Sequence, residues 1–380
     1  MNHLMPTYSP FDVTLIRGEG CWVYDSNNKK YLDFFSGIAV NSLGHSHPLV
    51  VKAISEQAAK LIHVSNIYKN EYSEKVAEIL NALIAVDENG MVFFTNSGTE
   101  AVECALKLVR ATKGPLKVVS CINSFHGRSY GALSLTGQDK KAAKFEPLLQ
   151  NISKVPYGDI NALEKEFYDG VAGVFLEPIQ GEGGIIEPPN GYLKAVYELC
   201  KANNALMAVD EIQTGLGRSG KWFCFQYEDV APDLVMIAKP LANGYPAGAC
   251  WAKKEVALNF SVGDHGSTFA GQPLALAAAK ATLEALIELN APLRAQQMGN
   301  YLINGLSKVP KVKKVRGRAM LIGLILNDPI SKEVSLKALN EGLLINSLRD
   351  DVIRIAPPLI ITKEEIDLGI EILNKVLGEL

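Results

Sequence analysis

Between residues 91 and 252, short apolar runs alternate with stretches of helical periodicity, and few architectures accept that pattern. The runs at 92–95, 118–121, 171–177, 206–210, 234–238 and 249–252 are almost continuously apolar, as strands covered on both faces must be. Segments 99–111, 160–167 and 192–203 repeat their apolar residues three and four apart and form the helices between them. Strands joined by helices predict an α/β domain with a mainly parallel sheet.

The flanking regions read differently. Residues 1–45 are irregular, with strand candidates at 21–24 and 30–34. Helices follow His47-Pro48, with Val50, Val51, Ile54, Ala58 and Leu61 on one face, and span 73–83. Two long helices, 273–289 and 293–306, lead out of the α/β region. The remainder reads as a strand (319–326), a helix (336–342), strands at 343–346 and 352–355, and a helix (363–377). That is a small α+β unit. The expected division is an N-terminal segment, 1–45, packing with a small domain at 291–380, and a large domain at 46–290. A chain of 380 residues is long enough for two such bodies.

A net charge of −3 gives no reason to expect nucleic acid or an anionic membrane as partner. The short basic run Lys311, Lys313, Lys314, Arg316, Arg318 reads as a solvated strand edge. The Ala-rich stretch 273–289 is interrupted by Lys280, Glu284 and Glu288, so it does not read as a membrane span. Six cysteines without a C-x-x-C pair, several in apolar segments, read as reduced, buried thiols. Residues 1–10 lack an apolar signal core and an Arg-rich presequence, which predicts a cytoplasmic protein.

Ligands of a parallel sheet bind at the carboxyl ends of its strands. Asn96-Ser97-Gly98-Thr99 follows one run and opens a helix, where free amides suit a phosphate and a plain N-cap is the alternative. Glu177 and Glu182 flank a Gly-rich loop. Asp210 ends another run, partly desolvated and in need of a partner: a metal, a cationic ring or an arginine. Lys239 follows the run 234–238, where burial would lower its pKa and free the amine for Schiff-base chemistry. Gly215-Leu216-Gly217-Arg218-Ser219-Gly220 matches the dinucleotide fingerprint, but the bulky, strand-like Lys221-Trp222-Phe223-Cys224-Phe225 follows instead of a helix. His45 and His47 sit in a turn with no third ligand nearby, and no metal site is expected.

These pieces together resemble the class III, ornithine/ω-amino-acid branch of the fold-type I pyridoxal-phosphate aminotransferases. The resemblance runs from about residue 10 to the C-terminus. It is densest from Val209-Asp210-Glu211-Ile212-Gln213-Thr214 through the glycine-rich loop to Pro232-Asp233 and Ala238-Lys239. Further matches are Ser97-Gly98-Thr99-Glu100-Ala101, Ser124-Phe125-His126-Gly127-Arg128, Glu177-Pro178-Ile179-Gln180-Gly181-Glu182, Ser267-Thr268-Phe269 and Arg354-Ile355-Ala356-Pro357-Pro358-Leu359. Within the family, residues 34–48 are similar to the acetylornithine aminotransferases. The ornithine δ-aminotransferases tend to carry tyrosine where this chain has Ile38. Pro240 departs from the Gly-rich run usual after the lysine.

The resemblance implies pyridoxal 5'-phosphate as cofactor, with Lys239 as its Schiff-base lysine and Asp210 on the ring nitrogen. It further implies phosphate contacts from Ser97, Gly98 and Thr99, stacking by Phe125, and a hydrogen bond from Gln213 to the ring's phenolic oxygen. Thr268 of a neighbouring subunit would complete the phosphate cup, hence a homodimer. Arg128 and Ser267 belong to the implied substrate site. Arg354 would bind the carboxylate next to the reacting carbon of glutamate or 2-oxoglutarate, and Glu182 would cover it at other times. The implied reaction moves the terminal amine of acetylornithine to 2-oxoglutarate, in arginine biosynthesis. Another ω-aminotransferase, acting on ornithine, succinylornithine or 4-aminobutyrate, and an aminomutase on the same fold remain alternatives.

Overall fold

A computed structural model describes residues 3–380. Its centre is a seven-stranded sheet made of β4 (Met91–Thr95), β5 (Lys117–Cys121), β6 (Ile152–Val155), β7 (Val171–Leu176), β8 (Leu206–Asp210), β9 (Leu234–Ile237) and β10 (Gly248–Ala252), in the order β4-β10-β9-β8-β7-β5-β6. Strands β5 to β9 pair in parallel; β10 alone runs antiparallel to both its neighbours, β4 and β9. Strand β4 therefore points the same way as β5 to β9, and their carboxyl ends share one edge of the sheet. Every residue of β7, β8, β9 and β10 is buried, which explains why these strands are apolar throughout rather than alternating.

A meander of β1 (Leu15–Glu19), β2 (Trp22–Asp25) and β3 (Lys30–Asp33) accepts β13 (Leu343–Leu344) as a parallel partner of β3. Backbone bonds continue this join: Phe34 N–H donates to the Leu344 carbonyl at 2.9 Å and Ala356 N–H to the Phe34 carbonyl at 2.8 Å. The third sheet is antiparallel, β11 (Val312–Arg318), β12 (Leu321–Leu326), β15 (Val352–Ile355) and β14 (Asn346–Arg349) in that order.

Several local expectations are corrected. The strand expected at 319–326 is β12 but starts at Leu321: Ala319 takes a positive φ of 51° in the turn that joins it antiparallel to β11. Strand β11 holds the basic run at a sheet edge, but Arg316 donates to the Gly184 carbonyl and Arg318 pairs with Glu187 at 3.2 Å, so the run is not merely solvated. Strand β6 was not expected; at the sheet edge only Val155 is buried, so it lacks a continuous apolar run. Residues 221–225 form no strand. They lead into a 3-10 turn, Cys224–Tyr227, whose Phe225 N–H donates to buried Glu211 at 2.8 Å. The apolar stripe of the helix Pro48–Lys60 is only partly inward: Val50 and Gln57 are buried, whereas Val51, Ala58 and Leu61 are exposed.

Candidate active site

The shared carboxyl edge opens into a cavity of about 400 Å³. Ser97, Gly98, Thr99, Phe125, Arg128, Glu177, Glu182, Asp210, Gln213 and Lys239 all line it, although they come from five different strand ends.

At one side the helix Gly98–Lys113 begins. Ser97 is its N-cap, taking the Glu100 amide, and Glu100 in turn accepts from Asn96 N–H and Nδ2 at 2.8 Å. The first-turn amides of Gly98 and Thr99 have no acceptor within the helix and carry its positive dipole end. A Cβ at Gly98 would stand 2.8 Å from Ile212 Cδ1, so a side chain here would displace Ile212 from the helix start.

Asp210, at the end of β8, also lines the cavity. Its Oδ2 meets His126 Nδ1 at 2.8 Å in a buried contact, and its Oδ1 accepts from Ile212 N–H at 3.1 Å. Within the chain, the side chain that meets this acid is an imidazole. Burial disfavours the His126 cation, but Asp210 and then Glu177 outweigh it and raise its pKa. Glu177 accepts from Phe125 N–H and Gly181 N–H at 3.0 Å each. Burial pushes its carboxyl up to about 7, with Asp210 adding to the rise and His126 opposing it.

Lys239 faces the cavity without a side-chain hydrogen bond among the described residues. Burial pulls its amine down to about 8; Glu182 opposes that fall and Arg354 adds to it. The following Pro240 disfavours the right-handed helical region for Lys239, whose φ is +39°. Pro240 opens a 3-10 turn, Lys239–Ala242, where no N–H is needed, so the turn tolerates it. Asn243 then anchors the turn to the N-terminal segment, accepting from Leu43 N–H at 2.8 Å and donating to the Gly44 carbonyl at 3.0 Å.

Arg354, from β15, does not line the cavity but stands behind two residues that do. It pairs with Glu182, donates to Gln213 Oε1 at 3.1 Å and reaches Asn346 Oδ1 at 2.9 Å. Its Nε is buried without a hydrogen-bond partner among the described residues. Burial opposes charge on Glu182, yet Arg354, Lys239 and Lys141 outweigh it and hold the carboxyl below its ordinary range.

Other expected residues lie elsewhere. Ser267 accepts from Asn96 Nδ2 at 3.2 Å and borders a neighbouring groove, while Thr268 is exposed; neither lines the cavity of its own chain. Ile38 is also absent from the wall, where Val40 stands instead. The His126 and Glu177 network was not anticipated as part of the site. Its signal was present, since His126 lies inside the Ser124–Arg128 motif, but only the fold brings it to Asp210. His45 bonds Asp33 at 2.7 Å, and no cluster of metal-ligating side chains exists among the described residues.

A family model described as aminotransferase class III matches residues 5–377. The chain belongs to the class III aminotransferases. An acetylornithine aminotransferase from Methanopyrus kandleri is 46% identical, covering 99% of this chain and 95% of its own length. Among solved structures, the ornithine aminotransferase of Toxoplasma gondii superposes with a TM-score of 0.94 at 33% identity, covering 99% of this chain and 93% of that one. The acetylornithine aminotransferase of Elizabethkingia anophelis gives 0.88 at 35% identity, covering 100% and 97%. Class III aminotransferases use pyridoxal 5'-phosphate. The lining of this one fits that group: an amine without a hydrogen bond among the described residues, a helix N-terminus beginning with glycine, and a buried carboxylate all line one cavity. As an aminotransferase it takes an amino donor and a keto-acid acceptor. Among the described residues no helix is long and apolar enough to cross a membrane.

Proposed function

We propose that this aminotransferase transfers the terminal amine of N2-acetyl-L-ornithine to 2-oxoglutarate, giving N-acetyl-L-glutamate 5-semialdehyde and L-glutamate in arginine biosynthesis. The observation that carries the donor choice is that no lining carboxylate is free. Glu182 is paired with Arg354, Asp210 with His126, and Glu177 with two amides. Free ornithine would bring its α-ammonium to this wall unpaired, at a desolvation cost that the acylated amine avoids. Relatives named acetylornithine aminotransferase, 42–46% identical over almost the full chain, support the same reading.

Lys239 would hold the cofactor's aldehyde carbon, Ser97, Gly98 and Thr99 its phosphate, and Asp210 its ring nitrogen, with Phe125 against the ring and Gln213 at the phenolic oxygen. When bound, pyridoxal phosphate supplies an electron sink for the carbon that loses a proton and carries the amino group between the two substrates. The Lys239 amine would move the proton at the reacting carbon as general base and then general acid; an amine near 8 is matched to that work. His126 holds one oxygen of Asp210 in line with the cavity. Arg128, exposed at the cavity and without a hydrogen-bonded or ionic side-chain partner among the described residues, binds the substrate carboxylate far from the reacting carbon. Glu182 screens Arg354 while acetylornithine reacts and yields it to the second carboxylate of glutamate or 2-oxoglutarate.

The working unit in this reading is a cytoplasmic homodimer in which Thr268 of one protomer completes the phosphate cup of the other. Support comes from apolar surface beside Thr268: Ile67 is 86% exposed, Tyr68 68% and Phe269 58%. The parts at 1–45, 46–290 and 291–380 act as segment, large domain and small domain; the pairing of β3 with β13 supports grouping the first with the last.

An amino-donor panel with 2-oxoglutarate, followed by glutamate release, tests the function. Acetylornithine should exceed ornithine in kcat/KM by roughly 10–200-fold. Equal or better use of ornithine, succinylornithine or 4-aminobutyrate would replace the acetylornithine assignment.

A further inference from the structure

Lys141 has no role in the reaction as described above. It sits on the short helix Asp139–Ala142, and Gln138, just before that helix, donates to the Asn123 carbonyl at 3.2 Å and so ties it to the Phe125 loop. Its ammonium lies 4.6 Å from the centroid of the Phe125 ring, and the Arg128 guanidinium carbon lies 5.7 Å from the same centroid. Neither cation has a hydrogen-bonded or ionic side-chain partner among the described residues. Lys141 is only half-exposed, and the charges bearing on it are Arg128, Arg349 and Arg354 against the single acid Glu182, already paired to Arg354.

Like charges held together at a partly desolvated rim repel one another. Surface lysines usually escape such a position by extending into water. Lys141 instead lies against Phe125, a residue that lines the cavity and that the guanidinium assigned to the substrate also approaches. The unpaired charges need an anion, and the substrates of this site supply one at that end.

We propose that Lys141 and Arg128 form a two-cation clamp for the substrate carboxylate remote from the reacting carbon. In acetylornithine that group is the α-carboxylate; in glutamate and 2-oxoglutarate it is the side-chain carboxylate. Arg128 provides a planar fork and Lys141 a flexible point charge, so the clamp accepts the carboxylate from chains that differ in length and in their neighbouring substituents. This rests on the substrates proposed above.

Lys141→Met and Lys141→Arg in the holoenzyme test it. In Lys141→Met, KM for acetylornithine and for 2-oxoglutarate should rise about tenfold while kcat changes less than about twofold, the loss of one charge-assisted contact at a half-exposed site. The preference for acetylornithine over 1-aminobutane, which has no carboxylate, should fall by about the same factor. Lys141→Arg should recover most of both. Calorimetric titration with glutarate should show about tenfold weaker binding in Lys141→Met. That measurement is independent of the reaction: weaker glutarate binding alongside wild-type enzyme that uses neither acetylornithine nor 2-oxoglutarate would keep the clamp and remove the proposed substrates. Unchanged KM values and glutarate binding in Lys141→Met would overturn the clamp. So would an equal loss with 1-aminobutane, which would mean that Lys141 only supports the loop.

Discussion

Glu182 and Arg354 form a closed ion pair between the cavity wall and β15, joining residues 172 positions apart in the chain. The arginine is 2% exposed and also holds Gln213 and Asn346, while its Nε has no hydrogen-bond partner among the described residues. A buried guanidinium with one unfilled donor and a partly exposed carboxylate partner is suited to exchanging that carboxylate for a substrate's.

Glu182→Ala should therefore separate the two half-reactions. With the cover removed, Arg354 is free to hold α-carboxylates, so glutamate should react with a better kcat/KM and acetylornithine with a worse one. Single-turnover absorbance changes with each donor measure this. Equal losses for both would make Glu182 a structural loop charge.

Asp210→Asn should fold and keep the cavity but lose most turnover. It removes the charge that His126 Nδ1 meets at 2.8 Å and that would hold the cofactor ring protonated. Cofactor affinity should weaken by about 1.5–3 kcal/mol, the usual value of a hydrogen bond to a charged group. Equilibrium dialysis and steady-state rates report the two effects separately; near-wild-type turnover would exclude the role.

Borohydride treatment of the wild-type holoenzyme, followed by peptide mapping, should fix the cofactor on Lys239 alone. Lys239→Ala should bind pyridoxal phosphate without any such attachment and should lose transamination. A reduced adduct on another lysine would remove the assignment.

Stability should carry the titration of Glu211, which is buried and accepts from Thr214 Oγ1 at 2.5 Å and Phe225 N–H at 2.8 Å. Burial pushes its carboxyl from 4.5 up to about 7. The folded state thus binds this proton more tightly than the unfolded chain does. The stability it contributes is fully present below pH 4.5 and is lost as pH rises through about 7. The amount is on the order of 3 kcal/mol. Glu211→Gln can still accept from Phe225 and donate to Thr214, so its melting temperature should fall less than that of the wild type between pH 5 and 8. Parallel slopes in the two proteins would show that Glu211 does not titrate in this range.

The glycine-rich segment at 215–220 shows how far local reading goes. Its spacing matches a dinucleotide loop, and the residues after it already argued against that use. The actual employment of Arg218 was not visible. It is fully buried, reaching the carbonyls of Pro357 and Met320 and Ser42 Oγ, so the loop ties the N-terminal segment to the C-terminal unit. Likewise the outward stripe of Val51, Ala58 and Leu61 has correct helical spacing but faces away from the core of its own chain. Periodicity gives a helix its apolar side without saying which body covers it.

By itself the sequence determined the α/β centre, because strands covered on both faces must be apolar throughout, and it determined the strand-end positions of Asp210 and Lys239. Those are local properties, written in neighbouring residues. The tertiary structure decided which strand ends meet. It brought His126 to Asp210, set Lys141 and Arg128 against the same Phe125 ring, closed Glu182 on Arg354, and left Ser267 and Thr268 outside their own chain's cavity. Contacts between residues far apart in the chain depend on strand order and burial, which no local spacing encodes.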